Sequence, residues 1–480
     1  MCLLFFIAGC QNISQETDIH ESEETVYEEL DAQQSEVLST EYLGVISDLF
    51  PDEGLAKSVA IELDLLLEEE ITTQSIVTQT ELNKVEILRL SWTFTEGLQP
   101  VRSLEGIQCL TNLTALFGVS QEISDLTPLS NLIHLRSLDL ADNHISDLTP
   151  LADITNLNRL FLDRNVVDNV APLSVLENLR FLSLNDNALN SLNFSSQSSL
   201  EFLSLNGNSL SDLYSLSYLS NLSHLQLNDN YTSDLTPLAN LGYLQQLSLN
   251  NNEIEGISSL NSIGLQRLEL RNNHISDLDE LSILSDLSIL FWLDLGGNQI
   301  SDISMLSNNG SLANLVLSHN EISDLSPLGE LSSLAWLDVG NNQISDLSPL
   351  SELNRLMRLD LNDNEISDLT PLSYLTAESF RFLDLRNNEI TSVASIADLH
   401  LIWLNLDGNY IQDIEEICEI SENIDYETWY TLSNSDFSNP PHPFPSNPFD
   451  PFPAMNGHGP FMIPIPVHGI GEIVGGLNCP

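Results

Sequence analysis

Trp292, Trp336 and Trp403 occupy one slot of a recurring frame, just before a leucine, and Phe181, Phe202, His224, Arg358 and Phe382 fill that slot in other copies. The slot just after the same leucine holds Phe161 in one copy and Asp139, Asp294, Asp338, Asp360 and Asp384 in others. Large aromatics interleaved with arginine are the side chains that anchor protein interfaces. The plain alternative is stacking between adjacent copies, a small effect for each cross-strand pair. Periodic placement of so many large rings on a solvent face favours binding. The acidic slot carries different chemistry. Asp338, Asp360 and Asp384 fall in consecutive copies, and like charges side by side on neighbouring strands repel. A basic patch on a protein partner relieves that repulsion. Ca²⁺ is the lesser option, since clustered carboxylates suit a hard cation, and screening by water and salt needs no ligand at all.

No catalytic residue is assigned. The sequence has no Gly-rich phosphate loop, no H-E-x-x-H and no G-x-S-x-G. His144, His274 and His319 recur beside a repeated asparagine, but no nucleophile stands in a matching slot. The five cysteines are too sparse for a disulfide framework and form no zinc-binding spacing. No enzyme, cofactor or structural metal is expected.

The frame that positions these residues is Leu-x-x-Leu-x-Leu-x-x-Asn-x-Ile-Ser-Asp-Leu-x-Pro-Leu, with a period near 22 residues. Its asparagine stands at 143, 165, 187, 208, 230, 252, 273, 298, 320, 342, 364, 388 and 409, and Gln121 holds the same slot earlier. Such a period marks a leucine-rich-repeat solenoid, in which each coil buries its apolar face only against its neighbours. The fold class is therefore an α/β solenoid: a leucine-rich-repeat horseshoe with a concave parallel β-sheet, a convex side of 3₁₀ turns or short helices, and a helical N-terminal cap. Each coil contributes one short strand whose side chains alternate in and out. The asparagine turns the chain and needs backbone partners from neighbouring coils. Pro128, Pro150, Pro172, Pro237, Pro327, Pro349 and Pro371 are expected at the first position of the return turns. The leucines build the core and carry no functional information.

Around the repeats, composition divides the chain. The apolar run 1–9 reads as a signal peptide, and Ile7-Ala8-Gly9-Cys10 resembles the bacterial lipobox, which implies acylation of Cys10. Acyl chains would then anchor the protein to a membrane. Residues 10–41 are acidic and poor in large apolar groups, an expected disordered tether. Residues 42–84 are expected to form the helical cap, with Leu55, Val59, Ala60 and Leu63 at helical spacing and a second short helix through Thr78 to Leu82. The repeats span 85–412 in about fourteen coils, followed by a closing acidic segment at 413–430 and a Pro-rich, disordered tail at 431–480. Two coils, Asn273 to Asn298 and Asn364 to Asn388, are longer, and their extra residues belong in convex or edge loops.

The net charge is −56, from 70 acidic residues against 14 basic ones, of which only Lys57 and Lys84 are lysine. That field repels phosphate backbones and excludes nucleic acid, while basic partners suit it. The segment "FPDEGLAKSVAIEL" and the 22-residue frame, about residues 50–412, resemble internalin-type bacterial leucine-rich-repeat proteins. The resemblance implies protein binding through the concave face, in some members as adhesins on host cells. The expected function is a non-enzymatic protein-interaction module at the bacterial envelope or surface, extracytoplasmic, lipid-anchored and monomeric. A glycan-binding adhesin with aromatics stacked on sugar rings, or a calcium-stabilised scaffold, are the alternatives.

Overall fold

The computed structural model of the protein describes residues 42–90, 99–194, 199–260, 264–279, 289–375 and 380–411. The expected signal peptide with Cys10, the tether, the closing segment and the tail lie outside them. The chain divides into two compact units, one ending at Leu244 and one starting at Gln245.

The first unit opens with the cap. Its elements are β1 (Tyr42–Val45), α1 (Ile46–Leu49), α2 (Glu53–Leu67), β2 (Ile76–Thr78) and α3 (Gln79–Leu82). The Asp52 carboxylate starts α2 by accepting from the Leu55 N–H at 3.0 Å. Leu55, Val59, Ala60 and Leu63 are buried along one face of α2, as their spacing requires. The second oxygen of Asp52 accepts from the Arg102 and Ser103 N–H groups at 2.9 and 3.2 Å, tying cap to repeats. Thr78 and Glu81 form a reciprocal capping box on α3. The cap is not purely helical. β1 and β2 pair antiparallel within it, a pairing that neither short run signals locally.

Beyond the cap the first unit stacks β3 (Ile87–Arg89), β4 (Ala115–Phe117), β5 (Ser137–Asp139), β6 (Arg159–Phe161), β7 (Phe181–Ser183), β8 (Phe202–Ser204) and β9 (His224–Gln226) in a parallel ladder. The second unit stacks β10 (Gln246–Ser248), β11 (Arg267–Glu269), β12 (Trp292–Asp294), β13 (Asn314–Val316), β14 (Trp336–Asp338), β15 (Arg358–Asp360), β16 (Phe382–Asp384) and β17 (Trp403–Asn405) in the same way. The irregular first coil thus contributes a strand, β3, beside those of the fourteen regular coils. The central leucine of each strand is buried and pairs in register with the next.

Three recurring devices hold the coils. The asparagine ladder is the first. Asn143 Oδ1 accepts from the Ile123 N–H at 2.9 Å, and its amide donates to the Gly118 and Leu140 carbonyls at 2.8 and 3.0 Å. Asn165, Asn320 and Asn364 repeat the pattern, and Gln121 accepts from Val101 N–H at 2.8 Å in the same role. The second device is a left-handed residue just before the ladder asparagine. Asp and Asn tolerate that conformation, and Gly207, Gly297 and Gly408 adopt it freely. The third is the return turn. Asp125, Asp147, Asp346 and Asp368 each accept from the N–H two residues on, at 2.8 to 2.9 Å. That aspartate turn makes Thr or Ser the first residue of the 3₁₀ segment, so proline stands second rather than first, as in Thr127–Leu129. The return segments of the two long coils include residues 280–288 and 376–379, outside those described.

Candidate functional site

On the solvent face of each ladder, opposite the leucines, the slots flanking the central leucine align across strands. In the first unit, Arg159, Phe181, Phe202 and His224 are in register. The Arg159 guanidinium lies 5.1 Å from the Phe181 ring centre. Phe202 is only 9 % exposed and packs tilted against His224 with centres 6.2 Å apart. It contributes packing, not an open anchor, because neighbouring side chains cover it. Phe161, Phe181 and His224 are half-buried. The next slots are closed by their own hydrogen bonds. Ser183 Oγ donates to Asp163 at 2.6 Å, and Ser204 Oγ donates to Asn185 Oδ1 at 2.6 Å and contacts Gln226 Oε1 at 2.8 Å. Burial pushes the Asp139 and Asp163 carboxyls above the usual carboxylate range.

The second unit is different. Arg267, Trp292, Asn314, Trp336, Arg358, Phe382 and Trp403 follow one another in a single column. The Arg267 guanidinium sits 4.1 Å from the Trp292 ring centre, and that of Arg358 sits 5.2 Å from Trp336. The two indoles meet edge to face, centres 5.4 Å apart at 76°. Trp292, Trp336, Phe382, Trp403 and Arg358 are all half-buried, so each keeps a solvent-facing part.

Beside this column runs the acidic one: Glu269, Asp294, Val316, Asp338, Asp360 and Asp384. Asp338, Asp360 and Asp384 are in register, as their spacing requires, but they do not converge on a common centre. Asp360 accepts from Arg358 Nε at 2.7 Å and from the Trp336 indole N–H at 3.2 Å. Asp384 takes Arg386 through both oxygens at 3.0 Å. Arg358 and Arg386 each neutralise the acid two residues away on the same coil, while Asp338, among the described residues, has no arginine beside it and keeps its repulsion with Asp360. Among the described residues, no group of three or more His, Cys, Asp or Glu is arranged to hold a metal ion. Arg267 and Asn314 belong to this site although their types drew no notice in the sequence. Their slot, shared with the tryptophans, was the available signal.

Asp294 is the most perturbed acid, pushed up to about 6 by burial first, then by Glu269 and Asp338, against the Gly296 N–H and Arg271. Burial also raises Asp338, with Asp360 adding to it. A folded pKa of about 6 against about 3.9 unfolded means that ionised Asp294 destabilises the fold. Its stabilising contribution is full below about pH 4 and is lost as pH rises through about 6. We therefore expect Asp294→Asn to raise the unfolding free energy by about 2–3 kcal/mol at pH 8 and by roughly half as much at pH 5. Urea midpoints at the two pH values check this; an equal effect at both would contradict it.

One strand, an asparagine turn and a 3₁₀ return per coil define a leucine-rich-repeat protein. A Leucine Rich Repeat family model matches residues 134–157. An internalin (InlF) from Listeria monocytogenes is similar at 32% identity over 78% of this chain and 99% of that one, with a TM-score of 0.61. The chain belongs to the internalin-like family of bacterial leucine-rich-repeat proteins. The functional domain of InlJ from the same organism is similar in fold at 21% identity, covering 79% of this chain and 78% of that one, TM-score 0.57. The Leptospira interrogans leucine-rich-repeat protein LIC12759 is similar at 24% identity, covering 72% and 90%, TM-score 0.56. No match is found among curated protein sequences. Among the described residues, no helix is long and apolar enough to cross a membrane.

Proposed function

We propose that the protein is a non-enzymatic module of the bacterial cell envelope or surface that holds a protein partner against the solvent face of its repeat strands. Acylated Cys10 tethers it there, and the module acts as a monomer. The observation that carries this reading is the column Arg267–Trp292–Asn314–Trp336–Arg358. Arg267 and Arg358 hold the two indoles from their outer sides by cation–π contact, which limits the rotamer freedom lost on binding. Rigid aromatics and arginines at the centre of a face are where interface energy concentrates. Phe161, Phe181, His224, Phe382 and Trp403 extend the contact surface along the strands of their own units. The net charge of −56 favours a partner with a basic patch.

Residues 11–480 serve as bait in envelope and host-cell extracts, beside the same chain with Trp292, Trp336 and Trp403 all changed to Ala. Capture by the parent and a loss of roughly 100-fold or more in the variant is the expected result. Equal capture by both would place binding elsewhere on the molecule. Affinity should also fall with added salt. A partner indifferent to salt and displaced by free sugar would instead identify a glycan.

A further inference from the structure

Within the acidic column of the second unit, three acids have an arginine at hydrogen-bond distance. Glu269 takes Arg267 at 2.7 Å, Asp360 takes Arg358 at 2.7 Å and Asp384 takes Arg386. Two do not. The nearest guanidinium nitrogen to Asp294 is that of Arg271, 3.9 Å away, and among the described residues no cation lies within 4 Å of Asp338. These two carboxylates belong to the two Trp-Leu-Asp strands, β12 and β14, and face each other across Val316 of β13.

A second observation comes from the column beside them. Asn314 lies between Trp292 and Trp336, is 3 % exposed, and its Oδ1 accepts no hydrogen bond. A buried carbonyl in that state favours any donor that reaches it. β12 and β14 are two strand spacings apart, roughly 9.6 Å, yet the indole centres are 5.4 Å apart. The rings therefore lean together over Asn314. Arg267 and Arg358 occupy the outer sides of the pair, leaving the inner sides turned toward each other.

We infer that Trp292, Asp294, Asn314, Val316, Trp336 and Asp338 form a slot for a lysine side chain of the partner protein when the two indoles part, an inference that rests on the protein-binding reading above. The lysine stem passes between the indoles and over Val316, which separates the rings and uncovers Asn314. The ammonium then donates to Asn314 Oδ1 and to the Asp294 and Asp338 carboxylates. Three acceptors on three strands suit a compact group with three donors better than the planar fork of a guanidinium. Indole walls favour a cation. Two carboxylates without an arginine at hydrogen-bond distance, each keeping one backbone N–H bond, from Gly296 and Gly340, exclude carboxylate and phosphate.

The test titrates the full chain with pentalysine and with its fully Nε-acetylated form near neutral pH, following indole emission and heat. Binding with an emission change is expected for pentalysine and none for the acetylated peptide. Asp294→Asn/Asp338→Asn should weaken binding by about tenfold or more. Asp324→Asn/Asp346→Asn alters net charge equally on exposed return turns and should weaken it by less than about twofold. Asn314→Leu keeps the charge and should still cost several-fold. Unfolding midpoints confirm that each variant is folded. Equal weakening by the two double variants, or binding without an emission change, overturns the slot. So does full capture of an extract partner by Asp294→Asn/Asp338→Asn when the triple tryptophan variant has lost it, and that outcome leaves the protein-binding reading standing.

Discussion

Replacing Asn309 with Leu should raise the unfolding free energy by about 3–6 kcal/mol. Asn309 occupies the buried slot that Leu331 and Leu353 fill in the next two coils, 22 residues apart. Its side chain is fully buried, and neither amide atom has a hydrogen-bond partner. Its backbone is already in place, since the Asn309 N–H donates to Leu306 and its carbonyl accepts from Leu312. The substitution therefore changes only the side chain. It removes an unsatisfied amide, which costs about 1–3 kcal/mol per polar atom, and adds an aliphatic group worth about 1.5–3 kcal/mol on burial. Overpacking is the opposing effect, but leucine fits this slot in adjacent coils. A urea titration reads the result as a higher midpoint. Destabilisation by both Asn309→Leu and Asn309→Ala would show that the amide is bonded after all.

The opposite effect is expected at Asn320, one rung of the ladder in the second unit. Its Oδ1 accepts from Ile300 N–H at 3.0 Å, and its amide donates to the Leu295 and Leu317 carbonyls at 3.0 Å each. Asn320→Ala strands those buried backbone groups, so the loss is about 3–6 kcal/mol. In a quasi-one-dimensional fold the damage falls on one interface between coils. The urea transition should therefore broaden as well as move to lower concentration. A shift below about 1 kcal/mol would mean that water replaces the amide at little cost.

Much of this architecture was legible because each coil repeats the same physical problem. The ladder asparagines, the buried strand leucines, the α2 face and the Thr78–Glu81 box are local consequences of residue type and spacing. The slots of Trp292, Trp336 and Trp403 were equally clear, since strand alternation assigns them to the solvent face. What those side chains touch was not. Phe202 has the same slot as Trp336, but its neighbours cover it. Asp360 and Asp384 look like a free acidic row until Arg358 and Arg386 are placed against them. Contacts of that kind depend on rotamers and on which residue the next coil presents, and the frame specifies neither. The β1–β2 pair was missed because two short runs more than thirty residues apart give no local signal. Proline's second place in the return turn depends on the aspartate two residues before the turn, whose hydrogen bond sets where the turn begins.

The most direct test of the central claim is photo-crosslinking from single positions. A benzophenone side chain at position 382, which keeps the ring of Phe382 and leaves the tryptophans in place, reports on the solvent face of the strands, and one at Tyr374, an exposed residue of a return turn, serves as its counterpart. Irradiation in envelope and host-cell extracts should give a covalent protein adduct from position 382 and none from position 374. An adduct from position 374 alone would contradict the account and move the binding surface off the strand face.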